Sequence, residues 1–193
     1  MTPARTPIRT AAPWLQLPWG RGALVGLALV LLSLTAIQPF TRGRMPWTAD
    51  GALHLYRIVI LDHSLRYDDP FWPRYSSGVA YGYGAPLFNF YSPLTYHALR
   101  LLHLSGLSFL QAWLWGMAGL VLVGAAGVYQ LGRAWLGSTG GIAAAVAYVY
   151  SPYLLFDTVT RGTSSEVAAL ALLPWVMWAF WRLASHGRRR DLG

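Results

Sequence analysis

The chain contains no cysteine and no lysine. The first absence excludes disulfides, thiolate metal sites and a cysteine nucleophile, and the second excludes a Walker lysine and Schiff-base chemistry. Charge is scarce as well: charged residues make up 11% of the 193 positions, hydrophobic ones 55%, and only seven residues are acidic. That balance describes an integral membrane protein better than a soluble domain. All 15 basic residues are arginine, and they give a net charge of +8. Those nearest the apolar runs follow a topological pattern, so the excess charge marks membrane orientation, and no nucleic-acid partner is expected.

What is present in abundance is apolar sequence in long runs. Four candidate spans cover about 22–40, 107–131, 139–156 and 166–184. The first has roughly 19 residues, which at about 1.5 Å per residue nearly matches a hydrocarbon core of about 30 Å. Arg5, Arg9 and Arg21 precede it, so its start is expected in the cytoplasm. A cleaved signal peptide shares the basic start and the Leu/Val-rich core, but no convincing small-x-small site follows Ile37 and the segment reads as a signal-anchor. The short connections at 132–138 and 157–165 make the last three spans antiparallel neighbours. The fold class expected is an all-α, polytopic transmembrane helix bundle of about four spans with a long extracytoplasmic first loop, in the cytoplasmic (inner) membrane with the N-terminus inside.

Residues 1–21, rich in Pro, Thr and Arg, read as a disordered cytoplasmic N-terminus. Residues 22–184 form the transmembrane module, with an outer loop at 41–106, and 185–193 form a basic cytoplasmic tail that carries Arg188, Arg189 and Arg190. Gly116, Gly119, Gly124, Gly127, Gly140 and Gly141 would let neighbouring helices approach closely. Pro152 and Pro174 are expected to kink or end their helices.

The outer loop opens with Asp50-Gly51-Ala52-Leu53-His54-Leu55-Tyr56-Arg57. On a helix, positions 50, 54 and 57 fall within roughly 60° of one another, so one face carries an acid, an imidazole and a guanidinium. Residues 50–65 read as an amphipathic helix, with Leu53, Ile58, Val59, Ile60 and Leu61 available to lie against the membrane boundary. Proline, glycine and aromatic residues crowd the segments 68–75 and 81–93, which favours turns that expose aromatic faces. Such a surface suits sugar rings or a polyprenyl chain, and an aromatic belt at headgroup level is the alternative. Asp68-Asp69 before Pro70 is a common turn pattern.

Taken together, the signal-anchor, Asp50-Gly51-x-x-His54-x-x-Arg57, Pro73-Arg74-Tyr75, Tyr81-Gly82-Tyr83-Gly84-x-Pro86, Phe90-Tyr91-x-Pro93 and Arg161-Gly162-x-x-x-Glu166-x-Ala168 carry a resemblance. They resemble the start of large bacterial multi-pass proteins labelled by a 6-pyruvoyl-tetrahydropterin-synthase-related membrane domain, a name that implies no pterin chemistry. These are similar to the GT-C superfamily of membrane glycosyltransferases. The resemblance implies a transferase that uses a polyprenyl-phosphate sugar, with Asp50 as general base toward the acceptor hydroxyl or as ligand to a divalent cation. It competes with a purely local role for Asp50 as a helix N-cap. Arg57, Arg74 and Arg161 are the candidates to hold a lipid phosphate, since guanidinium binds phosphate bidentately and stays charged. Each could equally be an interfacial residue that snorkels. Glu166 is placed to pair with Arg161 or to favour the helix dipole. His54 is a second base, a ligand or an ordinary hydrogen-bonded residue, and Tyr81 and Tyr83 are substrate-facing aromatics.

The resembling proteins are several times longer, so this chain is expected to be a fragment, or to need a partner that supplies the rest. Two other classes stay open. A non-catalytic scaffold or transporter-like subunit accounts for the glycines and aromatics without Asp50. A soluble pterin synthase would need histidines at metal-binding spacing, which are missing.

Overall fold

The computed structural model describes residues 18–186; the expected N-terminal segment up to residue 17 and the arginines at 188–190 lie outside the described residues. The first helix, α1 (Pro18–Thr41), buries Leu29, Ser33, Ala36, Ile37 and Phe40. Their spacing of three and four residues makes one inward stripe. Leu24, Leu27, Leu31, Leu32 and Leu34 point outward, an arrangement that suits lipid and not water. Helix α7 (Ser164–His186) is built alike: Val167, Ala168 and Ala171 are buried, whereas Leu172, Leu173, Val176, Met177 and Phe180 are exposed.

Between them runs α5 (Phe109–Val149), whose start is fixed by a capping box: Ser108 Oγ accepts from Gln111 N, and Gln111 Oε1 accepts from Ser108 N. Its 41 residues do not form one rod. At Gly137 the backbone takes φ 72° and ψ −179°, a region that is essentially glycine-only, and the chain turns back on itself. Two antiparallel arms result, 109–136 and 138–149. A methyl group on Gly132 would lie 3.2 Å from Gly141 Cα, and one on Gly124 would strike the Tyr148 hydroxyl. Small residues therefore set the spacing of this hairpin. Gly119 departs from that expectation, since nothing lies within 4 Å of the site where its side chain would be.

Side-chain contacts give the direction of each pass. Phe40 packs edge-on against Trp113, while Leu29 clusters with Tyr129 and Ala145, so α1 runs antiparallel to the first arm. Trp113 donates to Ser164 Oγ at 2.9 Å, Trp175 donates to Val123 O at 2.9 Å, and Trp135 meets Trp181, so α7 runs parallel to that arm. The starts of α5 and α7 and the end of α1 thus share one end of the bundle. The Gly137 turn shares the other with Arg133 and Arg182.

Three helices are long and apolar enough to cross a membrane: Gly22–Thr41, Phe109–Val149 and Ser164–Ser185. The described fold is all-helical and compatible with an integral membrane protein in contact with lipid. The third expected span ends early. Pro152 cannot donate a backbone hydrogen bond and forces Ser151 into extended geometry (φ −63°, ψ 135°), so the second arm stops at Val149 where the span was drawn to 156. A short helix α6 (Pro152–Leu155) and a π-helical turn (Phe156–Arg161) follow. Pro174, by contrast, does not end α7, which runs on to His186.

The segment 41–106 is more regular than its proline and glycine content foretells. It holds α2 (Gly51–Tyr67), a four-residue α3 (Leu87–Phe90) and α4 (Leu94–Leu104). Helix α2 does not lie along a membrane boundary with all its apolar residues. Ile58, Ile60 and Leu61 are buried in the main core with Tyr96, Leu99 and Trp113, and only Leu53 and Val59 of the expected set are exposed. Asp62 pins α2 to α4 through an ion pair with Arg100 at 2.8 Å and also pairs with Arg66 one turn on, at 2.8 Å.

Candidate functional site at one end of the bundle

Two glycines bring the distant motifs together. Gly162 follows the π-helical turn at φ 74°, and a methyl group there would come within 3.0 Å of Gly51 Cα and 2.9 Å of Thr48 Cβ. The close approach lets Asp50 N donate to Arg161 O at 2.7 Å and Ala49 N donate to Thr160 O at 2.9 Å. The start of α2 is thereby joined to the start of α7. Beside this junction lies a cleft of about 280 Å³ lined by Asp50, Leu53, His54, Arg57, Tyr91, Arg161, Thr163, Ser165 and Glu166.

Asp50 stands at the N-cap position of α2, yet its carboxylate makes no capping hydrogen bond. The local explanation for this aspartate therefore lacks its defining contact. One and two helical turns on, His54 and Arg57 are both buried, Arg57 being 4% exposed. Their shared partner is Tyr96 of α4, fully buried, whose hydroxyl lies 2.9 Å from His54 Nδ1 and 3.2 Å from Arg57 Nη1. Ser165 Oγ donates to the same hydroxyl at 3.3 Å. With Arg57 and Ser165 donating, the tyrosine's single proton goes to His54 Nδ1, so the neutral ring keeps its own proton on Nε2. The His54 pKa is lowered to about 4, chiefly by burial and then by Arg57, with Asp50 opposing the shift and Arg161 adding to it. The imidazole is neutral at ordinary pH.

The three arginine candidates separate sharply. Arg161 is neutralised by two carboxylates, Asp157 at 2.7 Å and Glu166 at 2.9 Å. Asp157 is fully buried, and its pKa is raised, chiefly by burial and then by Glu166, against the pull of Arg161. Glu166 also accepts from the Tyr153 hydroxyl. Arg57 has no ion pair among the described residues. One face of its guanidinium is covered by the Tyr91 ring, 3.6 Å from the centroid, and its Nε is buried without a hydrogen-bond partner. Arg74 lies outside the cleft, in a separate groove with Asp68, Asp69, Trp72 and Tyr75.

Tyr81 and Tyr83 do not line the cleft either; both are exposed on a turn where Ala80 and Tyr81 adopt positive φ. Asp69 behaves as a turn residue, accepting from Phe71 N at 2.9 Å and Trp72 N at 3.1 Å. The structure thus gathers Asp50, His54, Arg57, Arg161 and Glu166 around one cleft and leaves Arg74, Tyr81 and Tyr83 elsewhere. It adds Tyr96 and Asp157, which motif reading passes over, and gives Tyr91 of the Phe90-Tyr91-x-Pro93 motif a place in the cleft wall. Among the described residues no group of three His, Cys, Asp or Glu side chains gathers to hold a metal ion.

The arrangement can bind an anion at Arg57, donate from a neutral imidazole and accept a proton at Asp50. In class, it is a polar cleft at one end of an apolar helical bundle compatible with a membrane. No family model, curated protein or solved structure matches the chain.

Proposed function

We propose that this chain is a glycosyltransferase module of the GT-C kind that uses a polyprenyl-phosphate sugar at the outer face of the cytoplasmic membrane. In this reading the chain crosses four times with the N-terminus inside, the third crossing being shared by the short second arm of α5, α6 and the π-helical turn, because 138–149 alone rises only about 18 Å. The observation that carries the proposal is Arg57: a guanidinium buried in a cleft wall without a carboxylate partner. Burial of an uncompensated charge costs several kcal/mol, and a ligand phosphate that forms bidentate charge-assisted bonds offsets the cost.

The chemistry follows from the neighbours. Asp50, whose carboxylate is free of a capping bond, removes the proton from the acceptor hydroxyl as that oxygen bonds to the anomeric carbon. The bond from that carbon to the phosphate oxygen breaks with its electron pair, and the departing polyprenyl phosphate carries the added negative charge. Arg57 holds that charge, and the His54 Nε2 proton is available to the same oxygens. No step is routed through a divalent cation, although Asp50 and Glu166 both line the cleft.

The test is transfer of radiolabelled sugar from a polyprenyl-phosphate donor by membranes containing the chain, with Asp50→Ala in parallel. Transfer abolished by the substitution supports the reading. Transfer that survives it removes Asp50 from the mechanism, and donor retention without transfer in either form identifies a non-catalytic scaffold.

A further inference from the structure

A larger cleft, about 770 Å³, opens where α1 ends, and it shares no lining residue with the Asp50 cleft. We infer that it is a second and separate binding site, and that it takes the anionic headgroup of a bilayer phospholipid.

The apolar run of α1 ends at Thr41, and the next residues are Arg42-Gly43-Arg44-Met45-Pro46-Trp47-Thr48. Whatever bilayer α1 crosses, its headgroups lie at the level of Arg42 and Arg44. Both arginines are exposed, and neither has an ion pair among the described residues. Arg42 is held by its own helix, donating to Gln38 Oε1 at 3.0 Å. That bond leaves most of its guanidinium donors free for a phosphodiester. Met45 and Val159 supply apolar wall for the glycerol and upper acyl carbons. Trp47 is 100% exposed on the rim, the position an indole takes at headgroup depth. Thr48 lines the cleft as well, with its hydroxyl turned into the junction against Gly51 and Gly162 and away from the cleft.

Unpaired positive charge, an apolar wall and an interfacial tryptophan at the end of a membrane-length helix together match an anionic amphiphile. A zwitterionic headgroup carries its own cation and meets two arginines less well. This inference does not depend on glycosyl transfer, since Thr48 and Val159 line this cleft, Asp50 and Arg161 line the other, and no lining residue is shared.

The experiment is native mass spectrometry of the full chain purified in detergent, with phosphatidylglycerol or phosphatidylcholine added at equal concentration. Each basic residue near a charged membrane surface contributes a factor of about five, so the wild type is expected to favour phosphatidylglycerol by about tenfold or more. Arg42→Gln with Arg44→Gln is expected to abolish the preference. Arg66→Gln with Arg74→Gln, which removes equal charge elsewhere in the same segment, is expected to keep it. Met45→Glu places a repelling carboxylate in the wall without altering either arginine, and provides a second route to the same loss should the double variant lose helicity. Equal retention of the two lipids overturns the proposal. So does a preference that survives both cleft variants, or an equal loss in the charge control. Displacement of the lipid by millimolar inorganic phosphate would also overturn it, since the site would then read phosphate and not a lipid headgroup.

Discussion

Arg57 and Arg161 line the same cleft, yet replacing each by methionine is predicted to move stability in opposite directions. Arg57 is 4% exposed and unpaired among the described residues, so Arg57→Met removes a desolvation penalty of several kcal/mol. Against this stand a charged hydrogen bond to Tyr96, about 1.5 kcal/mol at the low end, and a stacking contact with Tyr91 of about 1 kcal/mol. The balance is a stabilisation of about 1–3 kcal/mol. In a chain of this size each 1 kcal/mol moves the midpoint by about 2–4 °C. Arg161→Met does the reverse: it leaves the buried Asp157 carboxylate without its cation, a loss of about 3–5 kcal/mol. Thermal unfolding in a mild detergent, followed by circular dichroism at 222 nm, reads both. A fall in midpoint for Arg57→Met as large as that for Arg161→Met would refute the reasoning, because Arg57 would then be a structural residue and not one kept for a ligand.

The junction that builds the cleft predicts that Gly162→Ala destabilises by about 2 kcal/mol or more, since a left-handed residue and contacts at 2.9–3.0 Å coincide there; a midpoint unchanged in the same melt would contradict this. In the bundle, Gly141→Ala brings a methyl group to 2.9 Å from Tyr129 O and lowers the midpoint, whereas Gly119→Ala meets nothing and gains about 0.5–1 kcal/mol of helix propensity. His54 has a folded pKa of about 4 against an ordinary 6.5, so its contribution is complete above 6.5 and is lost as pH falls from 6.5 toward 4. The wild type's stability falls more steeply over that window than that of His54→Asn, measured by urea unfolding at successive pH values. Tyr96→Phe removes the hydroxyl that donates to Nδ1, and the imidazole, still facing Asp50, Arg57 and Arg161, titrates at higher pH by NMR.

Much of the architecture is legible in residue order alone. Apolar runs bounded by arginine mark α1, α5 and α7, because membrane-length hydrophobicity needs no tertiary information. The end of the second arm is legible too in retrospect, since Pro152 forbids its continuation. The extent of order in 41–106 is not. Helix α4 follows Pro93 and is held by Asp62–Arg100 and by Leu99 against Gly116, contacts between residues far apart in sequence.

The same division applies to the site. Asp50, His54 and Arg57 share a face through local spacing, and Arg161 to Glu166 form a local pair. Their meeting depends on Gly51 touching Gly162 across 111 positions of chain, which no periodicity reports. Tyr96 carries no local signal, because its role is fixed by residues on α2 and α7. Asp157 had a signal that could have found it: it is the lone acid between Asp69 and Glu166, and it stands four residues before Arg161, on the same helical face. Arg74, Tyr81 and Tyr83 stand apart because aromatic and basic residues next to a motif look alike in sequence whether or not the chain returns to it.

The most direct test of the account is the affinity of a short-chain polyprenyl phosphate for the purified chain, wild type against Arg57→Met, measured by isothermal titration calorimetry in detergent. Binding is expected to weaken at least about tenfold while the fold is retained, since one buried charge-assisted contact is worth that much or more. Equal affinity in the two proteins would contradict it and leave the buried guanidinium without a ligand.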